Sequence, residues 1–139
     1  MIPLPADERA PSLARDALQT AAGPNLDAPG AQIAALLVSE VVTNAVRHGA
    51  RPIAMRVIWI DGALRVEVRD GSARLPARKA TPDANGGFGL VLVDALAHRW
   101  GADPAPGGKI VWFELDLQLR AVSQEIERAG DLEHPLNMR

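Results

Sequence analysis

IAMRVIWIDGALRVEVRD, residues 53–70, is the stretch that decides the fold. Two β-branched, apolar segments, 53–60 and 63–70, flank Asp61-Gly62. Asp-Gly supplies the positive φ that a type I′ turn needs at both central positions, so the stretch reads as an antiparallel hairpin. In its second strand Leu64, Val66, Val68 and Asp70 share one face, and Arg65, Glu67 and Arg69 share the other. One side of the sheet is therefore expected to meet helices and the other water. The expected class is α/β (α+β), a two-layer α/β sandwich.

The flanking sequence supplies the helices. Asp27 is placed to cap a helix with Pro29 in its first turn, and that helix runs to about His48, with Gly49 as its stop. Its expected buried stripe is Ile33, Leu36, Leu37, Val41 and Ala45. Before it, Ser12 to about Ala22 reads as a helix with Leu13, Ala17 and Leu18 on one side, ended by Gly23-Pro24. Residues 1–11 carry three prolines and form an extended lead-in with room for a short edge strand. Residues 71–86 hold few large apolar side chains, and a loop of that length inside a compact domain tends to be a functional lid. Helical periodicity returns over 88–100, a turn at DPAPGG follows, and a last strand is expected over about 109–117. Residues 118–130 have the pattern of a further, charged helix, with a frayed end. The expected organisation is a lead-in over 1–11, one domain over 12–117, and a C-terminal helix and tail over 118–139.

Bulk properties narrow the function classes. A chain of 139 residues suits one domain, and 47% hydrophobic residues suffice for a packed core. A net charge of −2 gives no electrostatic case for a nucleic-acid or membrane partner. There are no cysteines, which removes disulfides, thiolate zinc sites and cysteine nucleophiles. No uninterrupted apolar run approaches the roughly 20 residues of a membrane span, and the N-terminus lacks a secretory pattern. A cytoplasmic setting is expected.

Three features invite a chemical reading. Glu40, Asn44 and His48 follow at i, i+4 and i+8 along one side of the second helix, beside Leu36, Leu37 and Val41. An ionised glutamate and an amide at a semi-buried position need partners, although a partly exposed helix edge with local polar contacts fits the spacing as well. Asp70 ends its strand in phase with the core face. There it caps the following turn or accepts a hydrogen bond from a ligand amino group. Asn85-Gly86-Gly87-Phe88-Gly89-Leu90 directly precedes an apolar helix, where glycines let backbone approach a ligand and free N–H groups face phosphate oxygens. It is neither a Walker A loop nor a Rossmann fingerprint.

This order closely resembles the GHKL ATPase superfamily, whose members share the Bergerat ATP-binding fold. The resemblance spans about residues 30–117. LLVSEVVTNAVRHG, residues 36–49, is similar to the family's N box in the form found in anti-sigma-factor serine/threonine kinases. The likeness implies helices on one face of a mixed, largely antiparallel sheet. It implies that Asn44 coordinates a Mg²⁺ bridging the ATP phosphates and that Glu40 is the general base. It also implies that Asp70 binds the adenine amino group and that Gly87 and Gly89 hold the phosphates, with Phe88 and Leu90 beside them in the glycine box. Arg47, near the helix end, is placed to assist phosphate contacts, and His48 is assigned no catalytic role. By the same resemblance the protein is a homodimer that binds a sigma factor and phosphorylates an antagonist protein on serine.

Three departures stand out. Asp70 is followed by Gly71-Ser72 rather than the usual Asp-x-Gly, and Ile110 stands at the apparent place of a threonine that completes the adenine and water network. The glycine box offers Asn85 and Phe88 where relatives often place an arginine, with Arg74, Arg78 and Lys79 as nearby cations. These departures motivate an alternative, a non-catalytic ATP-dependent binding module. A complete sensor histidine kinase is not expected, because the sequence holds no dimerising helical pair with a phosphoacceptor histidine. Gyrase-like or chaperone-like ATPases are not expected either, because 139 residues leave no room for a transducer domain.

Overall fold

The computed structural model describes residues 1–76 and 88–116. The elements are β1 (Ile2–Leu4), α1 (Ala10–Ala22), a 3-10 turn (Gly23–Asn25), α2 (Ala28–His48), β2 (Ile53–Ile60), β3 (Ala63–Asp70), α3 (Phe88–Leu96), β4 (Arg99–Ala105) and β5 (Gly108–Asp116). The strands form one sheet in the order β1-β2-β3-β5-β4. Every described pairing is antiparallel, so the parallel component that a mixed sheet would carry is absent among the described residues. The hairpin has the bounds and turn expected of it, with Asp61 at φ 49° and Gly62 at φ 82°.

Helix α2 is the central helix. It packs between α1 and α3 and over β3 and β5. Its N-terminus is closed by Asp27, whose Oδ1 accepts from the Gly30 N–H at 2.6 Å. Its buried stripe is Ala34, Leu37, Val38, Val41, Val42 and Ala45, a spacing of three and four that keeps one face on the sheet. Leu36, expected inside, is 39% exposed, because the buried face is centred one residue further along. Helix α1 shows the same correction. Ala10, Ala14, Leu18 and Ala22 are buried and Leu13 is 45% exposed, so small residues let α1 lie close on the layer beneath. At 21 residues α2 is long and apolar enough for a membrane span by length and composition, but its stripe is spent on the sheet and its neighbouring helices.

The helix expected over 88–100 ends at Leu96, and residues 99–105 are a strand. The His98 N–H donates to the Glu114 carbonyl at 2.8 Å, which hands the chain to the sheet edge. Arg99 then chelates the Glu114 carboxylate at 2.6–2.9 Å. Pro104 is tolerated because β4 is an edge strand. Pairing with β5 outweighs the poor strand propensity of Gly101 and Pro104. The helix expected over 118–130 lies outside the described residues.

The helix-covered face of the sheet carries Met55, Leu64, Val66, Val68 and Phe113, all buried. The opposite face meets water as expected, through arginines that lie over its own carboxylates, Arg56 being 51% and Arg99 62% exposed. Glu67 accepts from Arg56 at 2.6 Å and from Arg65 at 2.8 Å, and Glu114 is held by Arg99. The Arg65 guanidinium lies 4.0 Å from the Trp112 ring centre, and the Trp112 indole donates to Asp103 at 2.9 Å. Glu67 and Glu114 are consequently buried on a face that no helix covers among the described residues. Burial alone would push the Glu67 carboxyl up, but the Arg65 and Arg56 hydrogen bonds outweigh it and hold it below its ordinary value.

Two predictions follow from this packing. Leu37→Ala should cost about 2–5 kcal/mol in urea unfolding, because Leu37 is fully buried against the sheet. The depressed Glu67 carboxyl contributes stability that is fully present above its unfolded value and is lost as pH falls through its folded value. Wild type should therefore lose stability below about pH 4.5. Glu67→Gln should be less stable at neutral pH and fall less steeply on acidification, as read from urea midpoints across that range.

Candidate nucleotide site

The site forms where α2 ends against the end of β3. Glu40 and Asn44 lie on α2 and are half-buried, while Arg47 and His48 in its last turn are exposed. One helical turn separates Glu40 from Asn44, and Asn44 lies about 7 Å along the axis from Gly49. Gly49 is the C-cap, with its N–H on the Ala45 carbonyl at 3.0 Å. A Cβ at Gly49 would come within 2.7 Å of the Asp70 Cγ and 2.5 Å of the Ala45 carbonyl oxygen. Only a residue without a side chain lets the helix end this close to the carboxylate. The chain then runs beside the strand end, where the Gly71 N–H donates to the Ala50 carbonyl at 2.6 Å.

Asp70 is directed to the helix-covered side, as its phase with Leu64, Val66 and Val68 required. Its Oδ1 accepts from the Ser72 N–H at 2.8 Å, which closes the turn after β3. It is also ion-paired. The Lys109 ammonium lies 3.0 Å from each carboxylate oxygen, with the two side chains 1% and 6% exposed. Residues 70 and 109 are directly opposite in the β3–β5 register. Backbone closeness reinforces the pairing, since a Cβ at Gly108 would collide with the Asp70 carbonyl. Both readings of Asp70 thus have a basis in the geometry: it caps the turn and it also lies buried beside the helix end.

Sequence reasoning missed Lys109. The signal available was register: once β3 and β5 are known to be neighbours, the residue opposite Asp70 is a cation. The same register corrects the reading of Ile110. It pairs with Arg69 on the uncovered face, so it is directed away from Asp70 and cannot stand in for a group of the adenine network. Arg69 itself donates to the Pro106 carbonyl.

The glycine box is divided. Gly87 lies outside the described residues, as do Asn85, Arg78 and Lys79. Phe88 and Gly89 form the first turn of α3, and Leu90 follows, half-buried. The lid expected over 71–86 is described only to residue 76, where Arg74 donates its N–H to the Ser72 hydroxyl at 3.2 Å.

The donor set suits a magnesium nucleotide. Among the described residues no cluster of three or more His, Asp or Glu side chains forms a metal cage. A hard cation here would take one amide oxygen from Asn44 and the rest of its shell from phosphates and water, as Mg²⁺ commonly does. A half-buried carboxylate one turn away is positioned to take a proton.

Comparison with known proteins places the chain in a family. The family model described as the histidine kinase-like ATPase domain matches residues 4–115. One similar solved structure is the histidine kinase domain from the Erythrobacter litoralis EL346 blue-light activated histidine kinase. It is 27% identical, has a TM-score of 0.48, and the match covers 63% of this chain and 45% of that one. Another is the Erythrobacter litoralis EL346 blue-light activated histidine kinase, 28% identical with a TM-score of 0.52, covering 66% of this chain and 32% of that one. The chain therefore spans less than half the length of either. A search of curated proteins finds no match.

Gly49 supplies a direct test of the contact. Gly49→Ala should force α2 away from Asp70 and weaken nucleotide binding more than tenfold while keeping a folded far-UV spectrum. The measurement is calorimetric titration alongside circular dichroism. Unchanged affinity would separate the helix end from the site.

Proposed function

The chain belongs to the histidine kinase-like ATPase domain family of the GHKL superfamily, and on that premise we propose that it is an ATP- and Mg²⁺-dependent protein serine/threonine kinase of the anti-sigma-factor type. The observation that carries this reading is the placement of Glu40 one turn before Asn44, half-buried, on the helix whose end abuts Asp70. In this reading Asp70 binds the adenine amino group. Asn44 holds the metal, and Arg47 with the Gly87-Phe88-Gly89-Leu90 turn borders the phosphates. Magnesium supplies charge neutralisation on the phosphate oxygens. Glu40 takes the proton of an incoming serine hydroxyl as its oxygen bonds to the γ-phosphorus and the bond to the ADP oxygen breaks.

The partners proposed are a sigma factor and an antagonist protein carrying the acceptor serine, in the cytoplasm. A homodimer is proposed as well. The exposed Leu13 and Leu36 on α1 and α2 support it as apolar side chains available to a second copy. Serine is preferred to histidine as acceptor because a hydroxyl must lose its proton as it attacks, and Glu40 is placed to receive one.

Three variants test the reading. Glu40→Ala should lower phosphoryl transfer by about 10²–10⁴-fold with ATP affinity within about threefold of wild type. Asn44→Ala and Asp70→Asn should each lose most ATP binding in calorimetric titration with Mg²⁺. Asparagine keeps an oxygen for Lys109 and turns a donor toward the base. Unchanged binding in both would refute the site. Intact binding in wild type without transfer to any candidate antagonist would favour the ATP-dependent binding module.

A further inference from the structure

The ion pair between Lys109 and Asp70 does more than neutralise a buried carboxylate. A carboxylate offers about four lone-pair sites, and here the Ser72 N–H and the Lys109 ammonium take both on Oδ1 and one on Oδ2. The Lys109 ammonium is 3.0 Å from both oxygens, so it bridges them. A ligand amino group would take the remaining site on Oδ2, beside the Lys109 ammonium. Withdrawal of the ammonium would strand a buried cation, which costs far more than a shared contact. The ammonium therefore stays on the carboxylate, and its third donor is the one an incoming base would meet.

Residue type and register support this role. Only two of the chain's 15 basic side chains are lysines, Lys79 and Lys109. Arginine would fork across both oxygens and hold them, whereas an ammonium is a compact charge with three donors that can be redistributed. The neighbouring Ile110 is directed to the opposite face, so Lys109 is the polar side chain that β5 directs beside Asp70. An adenine edge presents an amino donor next to a ring-nitrogen acceptor. Asp70 and Lys109 present an acceptor next to a donor.

We propose that Lys109 is a specificity-determining residue whose ammonium donates to the adenine ring nitrogen N1 while Asp70 accepts from the adjacent amino group. This rests on the ATP-site reading above and adds to it a second, cationic reader of the base.

The test compares ATP with 1-deaza-ATP, which keeps the amino group and replaces N1 by C–H. Wild type should bind 1-deaza-ATP roughly 10- to 100-fold more weakly in calorimetric titration, the loss expected for a hydrogen bond from a charged donor. Lys109→Met should bind the two within about threefold of each other. Equal discrimination in wild type and Lys109→Met, or none in wild type, overturns the proposal and leaves the ATP site standing. Failure of wild type to bind ATP at all overturns both. A second readout uses the wild-type protein alone and holds even if Lys109→Met does not fold. With lysine labelled at Nζ with nitrogen-15, the chain gives two ammonium signals, and Lys79→Arg identifies one of them. The Lys109 signal should shift on ATP binding and shift less with 1-deaza-ATP. The same response to both nucleotides also overturns the proposal.

Discussion

The structure depends on the contact between the C-terminal end of α2 and the buried carboxylate of Asp70. A helix end carries unsatisfied carbonyls, and a buried carboxylate carries a full charge, so neither is tolerated without partners. Gly49 turns the chain away from the helix and leaves room for the carboxylate, while Lys109 and Ser72 satisfy its oxygens. A buried ion pair of this kind is weak evidence for stability, since an apolar pair of similar volume often does as well. Its value is positional. It fixes where the helix carrying Glu40 and Asn44 ends relative to β3 and β5.

The two faces of the sheet solve the burial problem differently. One face is apolar and covered by three helices among the described residues. The other carries no helix among the described residues, yet Glu67 and Glu114 are buried there under arginine side chains and Trp112. Arginine stems cover apolar surface while their planar heads pair with carboxylates in fixed geometry. The alternation of Arg65, Glu67 and Arg69, read alone, signals a wetted face. The neighbouring strands supply Arg56, Glu114 and Arg99 in register, so the face stays wet at its arginines while its two glutamates are buried beneath them.

This division suits an ATP-binding domain of the histidine kinase-like type. Transfer chemistry asks the protein for positioning and charge compensation rather than covalent participation. A rigid sheet with one central helix holds Asn44, Glu40 and the Asp70–Lys109 pair on elements rather than loops. The histidine kinase-like ATPase family, to which the chain belongs, carries the ATP-binding part of that chemistry.

Much was legible in the sequence because it is written in local periodicity. Asp61-Gly62 specifies a turn whatever surrounds it, Asp27 and Gly49 specify helix ends, and the period of two in β3 directs Asp70 inward. The place among GHKL ATPases was legible too, through the resemblance of residues 36–49, Asp70 and the glycine box to that family's motifs. Other features depend on pairing between segments distant in sequence, which no local period encodes. Strand β4 exists because β5 offers it hydrogen bonds and Glu114 offers Arg99 a partner, although RWGADPA has weak strand propensity of its own. The exposure of Leu13 and Leu36 was settled by how closely α1 and α2 could pack. Lys109 became part of the candidate site because an antiparallel register set it opposite Asp70, 39 residues away along the chain. Sequence determines which faces and ends a segment has; only the tertiary structure decides which of them meet, because that is set by register and by the space between packed elements.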